Sequence, residues 1–213
     1  MHKGWIRNEA SHLRGTAGED SMSWQSWKRR WGSAAIALGI AVLSSCEETN
    51  VPEAAALHGA HAATTLSKAQ ADNVEEVLTV LRGLTQPYKS LNAAMAVGYN
   101  ALLTPCMESP PAGGMGYHYG APALIDGKVE PLKPELLLYE PQRNGDLLFV
   151  GVEYVVPYTA WTSHDPPSLA GVPFHKNDVF GLWVLHAWIW KHNPSGILSD
   201  WNPRVTCQYA TAK

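Results

Sequence analysis

The apolar residues of this 213-residue chain change period once, and that change fixes what it can fold into. Val74, Val77, Leu78, Leu81 and Leu84 recur at the spacing of one buried helix face. Gly83 with Thr85-Gln86-Pro87 marks a stop and restart, Pro87 taking a first-turn position. Tyr88, Leu91, Met95 and Leu102 then predict a second amphipathic helix, ending near Leu103. Past Pro105-Cys106 the helical period ends. Residues 107–115 (MESPPAGGM) read as a Pro- and Gly-rich loop and Tyr117-His118-Tyr119 as a short strand. The runs 136–139 (LLLY) and 147–150 (LLFV) flank Asn144-Gly145, a strong hairpin signal, and the second strand is expected to continue through Val156. Residues 182–190 (LWVLHAWIW) predict a central strand, with a buried helix as the competitor that periodicity does not separate. The expected fold is α+β: an N-terminal helical hairpin followed by an antiparallel sheet, with helices on one face.

Ahead of this domain stand Lys28-Arg29-Arg30, the apolar run 34–43 (AAIALGIAVL), and small residues before Cys46. A basic segment, a short apolar core and small residues form a secretory signal. With Cys46 directly after Leu43-Ser44-Ser45, residues 22–45 resemble a bacterial lipoprotein signal peptide. That resemblance implies a diacylglycerol thioether on Cys46, cleavage before it and attachment to the membrane by lipid. The competing reading is an uncleaved anchor, but the run is far short of the ~20 residues that span a bilayer. Glu47, not Asp, follows the cysteine, which in lipoproteins implies the outer membrane where the host has one. Residues 1–21 are polar and of mixed charge, so translation is expected to begin at Met22. The Ala-rich segment 46–65, with His58 and His61, reads as a solvated tether, and 66–213 as one globular domain.

From position 46 onward the chain carries 10 Lys plus Arg against 16 Asp plus Glu, with no basic stripe, which argues against a nucleic-acid partner. Once Cys46 is lipidated, Cys106 and Cys207 remain. In an oxidising, exported setting they are expected to form a disulfide; a metal-ligating thiol pair is the alternative, without the short C-x-x-C spacing such sites favour.

Strand alternation nominates the chemistry. One hairpin face is expected to hold Leu136, Leu138 and Glu140, opposite Phe149, Gly151 and Glu153. Glu153 stands inside an apolar run, where a carboxylate is costly to bury without a partner. His186 is expected to share a face with Leu182, Val184, Trp188, Trp190 and His192. With strands paired in the simplest order, His118, Glu153 and His186 converge, a ligand set for Zn or non-haem Fe, with His192 as an outer partner. Two other readings stand beside it. His186 and Glu153 satisfy each other by a buried hydrogen bond while His118 packs between Tyr117 and Tyr119, or a histidine is catalytic without metal.

Met115 beside His118 would point to Cu, or else fills core space. Gly113-Gly114-Met115-Gly116 offers an anion nest or a close-packed turn, and the phosphate-loop spacings are missing. Among the tryptophans, Trp161 near His164 in a Pro-rich loop is the candidate for a ligand mouth. No G-x-S-x-G elbow and no specific carboxylate pair nominates a hydrolase.

The segments Gly113-Gly114-Met115-Gly116-Tyr117-His118-Tyr119, 134–141 (PELLLYEP), Val150-Gly151-Val152-Glu153-Tyr154 and 186–203 resemble an exported bacterial family with no assigned activity. Two functions of different class follow: an envelope protein that binds metal, or a non-enzymatic one that binds a small or aromatic ligand or a protein partner.

Overall fold

The computed structural model describes residues 65–211. The expected start at Met22, the signal peptide, Cys46 and the tether up to residue 64 lie outside the described residues.

Helix α1 spans Lys68–Thr85. Ser67 caps it: its hydroxyl accepts from the Gln70 amide, and the Gln70 side chain accepts from the Ser67 amide, so two orphan donors are satisfied reciprocally. Val74, Leu78 and Leu81 form its buried stripe. Leu84, expected on that stripe, is 52% exposed; Thr85 is buried instead, its hydroxyl donating to the Leu81 carbonyl. A 3-10 turn, Gln86–Lys89, and the short helix α2, Leu91–Ala96, follow. The second helix therefore ends earlier than its spacing predicts. Residues 101–103 open a strand instead, because a short apolar run suits either period and its partner strand decides.

The strands are β1 Ala101–Ser109, β2 Gly113–Gly120, β3 Leu136–Pro141, β4 Leu147–Pro157, β5 Ser168–Leu169, β6 Val172–Pro173, β7 His175–Asn177 and β8 Leu182–Ala187. Six form one antiparallel sheet in the order β1-β2-β3-β4-β8-β7, and β5 pairs only with β6. The Pro- and Gly-rich loop shrinks to a tight turn between β1 and β2. Pro105 is tolerated because β1 is an edge strand. The hairpin at Asn144-Gly145 is present, and β4 runs on to Pro157. Residues 182–187 are strand, paired on both sides, which excludes the helix.

The sheet has two buried faces. Leu137, Tyr139, Val152, Tyr154, Val156, Leu185 and Ala187 pack against Val74, Leu78 and Leu81 of α1. The opposite face carries Leu136, Val155, Leu182 and Val184, with Leu138, Val150, Trp188 and Val205 as a neighbouring cluster. Two expected face assignments change. The β3–β4 register shifts between Leu138 and Tyr139, so Phe149 faces Tyr139 and stacks on it at 5.2 Å, on the helix side. Strand β8 ends at Ala187, and Trp190 turns to the helix-side core, packing near Phe149.

The C-terminal segment covers the second face as a strap. Asn202 pairs with Gly114 through two backbone hydrogen bonds, and Trp201 packs on Met107 and Met115. A Cβ at Gly113 would lie 2.2 Å from the Asn202 carbonyl oxygen, so glycine there serves this close approach. Glu108 accepts from the Cys207 amide and Glu140 from the Thr206 amide. Cys106 and Cys207 are disulfide-bonded across 101 positions.

Replacing both cysteines (Cys106→Ser with Cys207→Ser) is expected to lower the unfolding free energy by ~2–4 kcal/mol, because a long loop is closed. Urea unfolding checks this; a midpoint unchanged from the parent would show that the strap is held by its other contacts alone.

Candidate metal centre

Register explains how distant residues meet. Leu136, Glu153 and His186 lie in one row across β3, β4 and β8; His118 and Leu138 pair in the next row, with Gly151. All five side chains therefore rise from one face. In a flat sheet, strands β2 and β8 stand three spacings apart, ~14 Å. Yet the rings of His118 and His186 have centroids 6.3 Å apart, edge to face. The sheet curls round them, helped by register shifts in β1–β2 and β3–β4. Gly151 belongs to this curl: a Cβ there would lie 2.8 Å from the Ala187 carbonyl oxygen.

At the centre, His118 Nε2 stands 3.5 Å from Glu153 Oε2, and His186 Nε2 stands 3.7 Å from Glu153 Oε1. One potential ligand atom from each of the three residues lies within 4.8 Å of the other two. All three side chains are buried, none more than 3% exposed. The other ring nitrogens are held from behind. Thr104 Oγ1 lies 2.7 Å from His118 Nδ1, and Asp200 Oδ1 lies 3.0 Å from His186 Nδ1. Asp200 Oδ2 in turn faces His175 Nε2 at 3.3 Å, at the edge strand β7. This network assigns the Nδ1 proton of His186 to Asp200 and directs its Nε2 at Glu153.

Burial pushes the Glu153 carboxyl up; the charge of His186 opposes this, and Asp200 adds to it. Burial works against the His186 imidazolium, but the Glu153 charge and the Asp200 hydrogen bond outweigh it and raise its pKa. Burial likewise opposes the Asp200 carboxylate. Hydrogen bonds from His175 and His186 win, holding it well below the usual range. Glu153 faces the enclosed point and Asp200 stands behind His186, so the centre favours a positive charge, a proton or a metal ion.

The structure brings His118, Glu153 and His186 together and leaves the other candidates elsewhere. His192 is exposed in the loop after β8, and Asp200 takes the place beside His186 expected for it. Tyr117 and Tyr119 alternate away from His118, so the expected packing between them is overturned; Tyr119 instead meets Tyr139. Met115 belongs to the Met107–Trp201 core cluster. Gly113 and Gly114 are occupied by the Asn202 backbone, a close-packed structural role. Trp161 is half-buried against the core with its indole donating to the Asp165 carbonyl, and His164 is fully exposed.

Thr104, Asp200 and His175 escape the sequence reading. Thr104 lay in a segment whose period was ambiguous, and Asp200 sits in an irregular loop where no alternation gives a facing. A further buried acid, Glu135, precedes β3 and accepts from the Val155 amide at 3.0 Å.

No protein-family model matches the chain, and neither a curated protein nor a solved structure shows significant similarity to it.

Burial, against the opposing Val155 hydrogen bond, raises the Glu135 carboxyl from its ordinary 4.5 to about 8. Between those values the native state holds one more proton than the unfolded chain. The stabilisation is therefore complete at low pH and lost as pH rises, at up to ~1.4 kcal/mol per pH unit. Glu135→Gln, neutral throughout, should flatten this slope in urea unfolding between about pH 5 and 8; an identical slope in variant and parent would remove Glu135 as its source.

Proposed function

We propose that this is a metal-binding domain in which His118, Glu153 and His186 hold one divalent transition ion, Zn²⁺ or Fe²⁺. The observation that carries the reading is the aim of both imidazole Nε2 atoms at one buried carboxylate, with both Nδ1 atoms anchored behind. Donor atoms ~2.0–2.2 Å from a common tetrahedral ion stand ~3.3–3.6 Å apart. The 3.5 and 3.7 Å separations, one to each carboxylate oxygen, lie near that spacing, and one ligand atom from each residue lies within 4.8 Å of the other two. Both separations are wide for a direct N–H···O hydrogen bond, which spans ~2.7–3.2 Å, so mutual satisfaction of His186 and Glu153 explains the geometry less well. The carboxylate behind His186 is the usual outer support of a metal-bound imidazole, fixing its tautomer and orientation. Two nitrogens and one oxygen suit borderline ions. Enclosure favours retention of the ion over turnover of a substrate.

The same proposal places the domain outside the cytoplasm, tethered by residues 46–65 to a lipid on Cys46. This rests on the sequence of the signal. Among the described residues no helix is long and apolar enough to cross a membrane.

Elemental analysis of untagged protein tests the metal reading. About one Zn or Fe per chain is expected, falling below ~0.2 in His186→Ala, while Asp200→Asn keeps the site at ~10–100-fold lower affinity. A parent with less than ~0.2 metal per chain, and no thermal shift on adding Zn²⁺ or Fe²⁺, would overturn it. For the anchor, metabolic labelling with palmitate should mark the parent and spare Cys46→Ser; equal labelling, or none in either, would remove the lipid.

A further inference from the structure

A second site lies at the end of the sheet, away from the buried centre. A cleft of ≈ 460 Å³ opens between α1 and the loop after β8, lined by Arg82, Trp188, Ile189, Trp190, His192 and Ile197 among others. This volume is within the range of small-molecule pockets. Its lining mixes indole and aliphatic carbons, which suit a flat ring, with polar groups.

Its charged neighbours are two cations, Arg82 and Lys89, and the Glu75 carboxylate that pairs with Arg82. The Arg82 guanidinium is fixed in place, Nε donating to the Ile189 carbonyl at 3.1 Å and Nη1 to Glu75 at 2.7 Å. Lys89 lies over the Trp190 ring, 3.7 Å from its centroid. The indole N–H of Trp190 is buried and has no hydrogen-bond partner among the described residues. His192 is exposed at the rim. No carboxylate is among the lining side chains. Asn193, the one lining amide, is already used: it donates to the Trp201 carbonyl and accepts from the Ser195 amide. A ligand with a planar ring and an acidic group matches both the walls and the donors.

We infer that this cleft binds a planar aromatic carboxylate. The site shares no residue with the metal centre, and the inference stands with or without an ion there.

Calorimetric titration of the purified protein, with and without chelator, tests this with indole-3-acetate and tryptamine, similar bodies of opposite charge. Indole-3-acetate is expected to saturate with Kd below ~1 mM, and tryptamine not to saturate in that range. Arg82→Met and His192→Glu should each weaken the carboxylate by ~10-fold or more. Arg82 also braces α1 against the Ile189 carbonyl, so the exposed His192→Glu carries the test where Arg82→Met fails to fold. No saturation by indole-3-acetate, equal binding of tryptamine, or unchanged affinity in His192→Glu would overturn the inference.

Discussion

Glu153 is a carboxylate with almost no exposed surface, planted mid-strand in the middle of a sheet. Burying such a group alone is prohibitive, and the fold is organised around making that position tolerable. An imidazole faces each of its oxygens, one from β2 and one from β8. Each imidazole is oriented in turn by an oxygen behind it, Thr104 or Asp200. Remove the curl of the sheet and the first pair moves beyond reach. Remove the strap and Asp200 goes with it.

The two faces of the sheet divide the work. The helix side is aliphatic and aromatic, and α1 covers it with a single stripe of Val74, Leu78 and Leu81. The strap side mixes apolar clusters with the polar centre, and irregular backbone closes it in place of a second helix. Such a segment needs partners for its own amides, and Glu108, Glu140 and the Gly114 backbone supply them. The disulfide closes the same segment onto the edge strand. The cleft at Arg82 is a by-product of this arrangement: the loop from β8 to the strap passes the end of α1 without filling the space between.

Part of this was legible from residue order. The alternation of 147–156 and the turn at Asn144-Gly145 specify β3 and β4 within one residue or two, since period 2 and a left-handed turn residue leave little choice. The helix stripe is equally local. The same alternation put Glu153 and His186 on faces that proved to be shared. It failed at Phe149, where a single extra residue in β4 moves the ring to the other side. It also failed at 101–103, where the apolar run fits both periods.

The sequence alone determined the class of the fold, the pair of cysteines available to each other, and which buried acid and imidazoles stood in conspicuous company. The first and last follow from the local period of the chain, which residue spacing encodes directly, and the cysteine pair from there being only two left once Cys46 is set aside. Tertiary structure decided the rest: that β2 and β8 approach, that Asp200 rather than His192 stands behind His186, and that Trp188 and Trp190 rather than Trp161 line the cleft. Each of these depends on sheet curvature and on the path of an irregular loop. Curvature accumulates over strands far apart in the chain, and loops carry no period from which a facing direction is read.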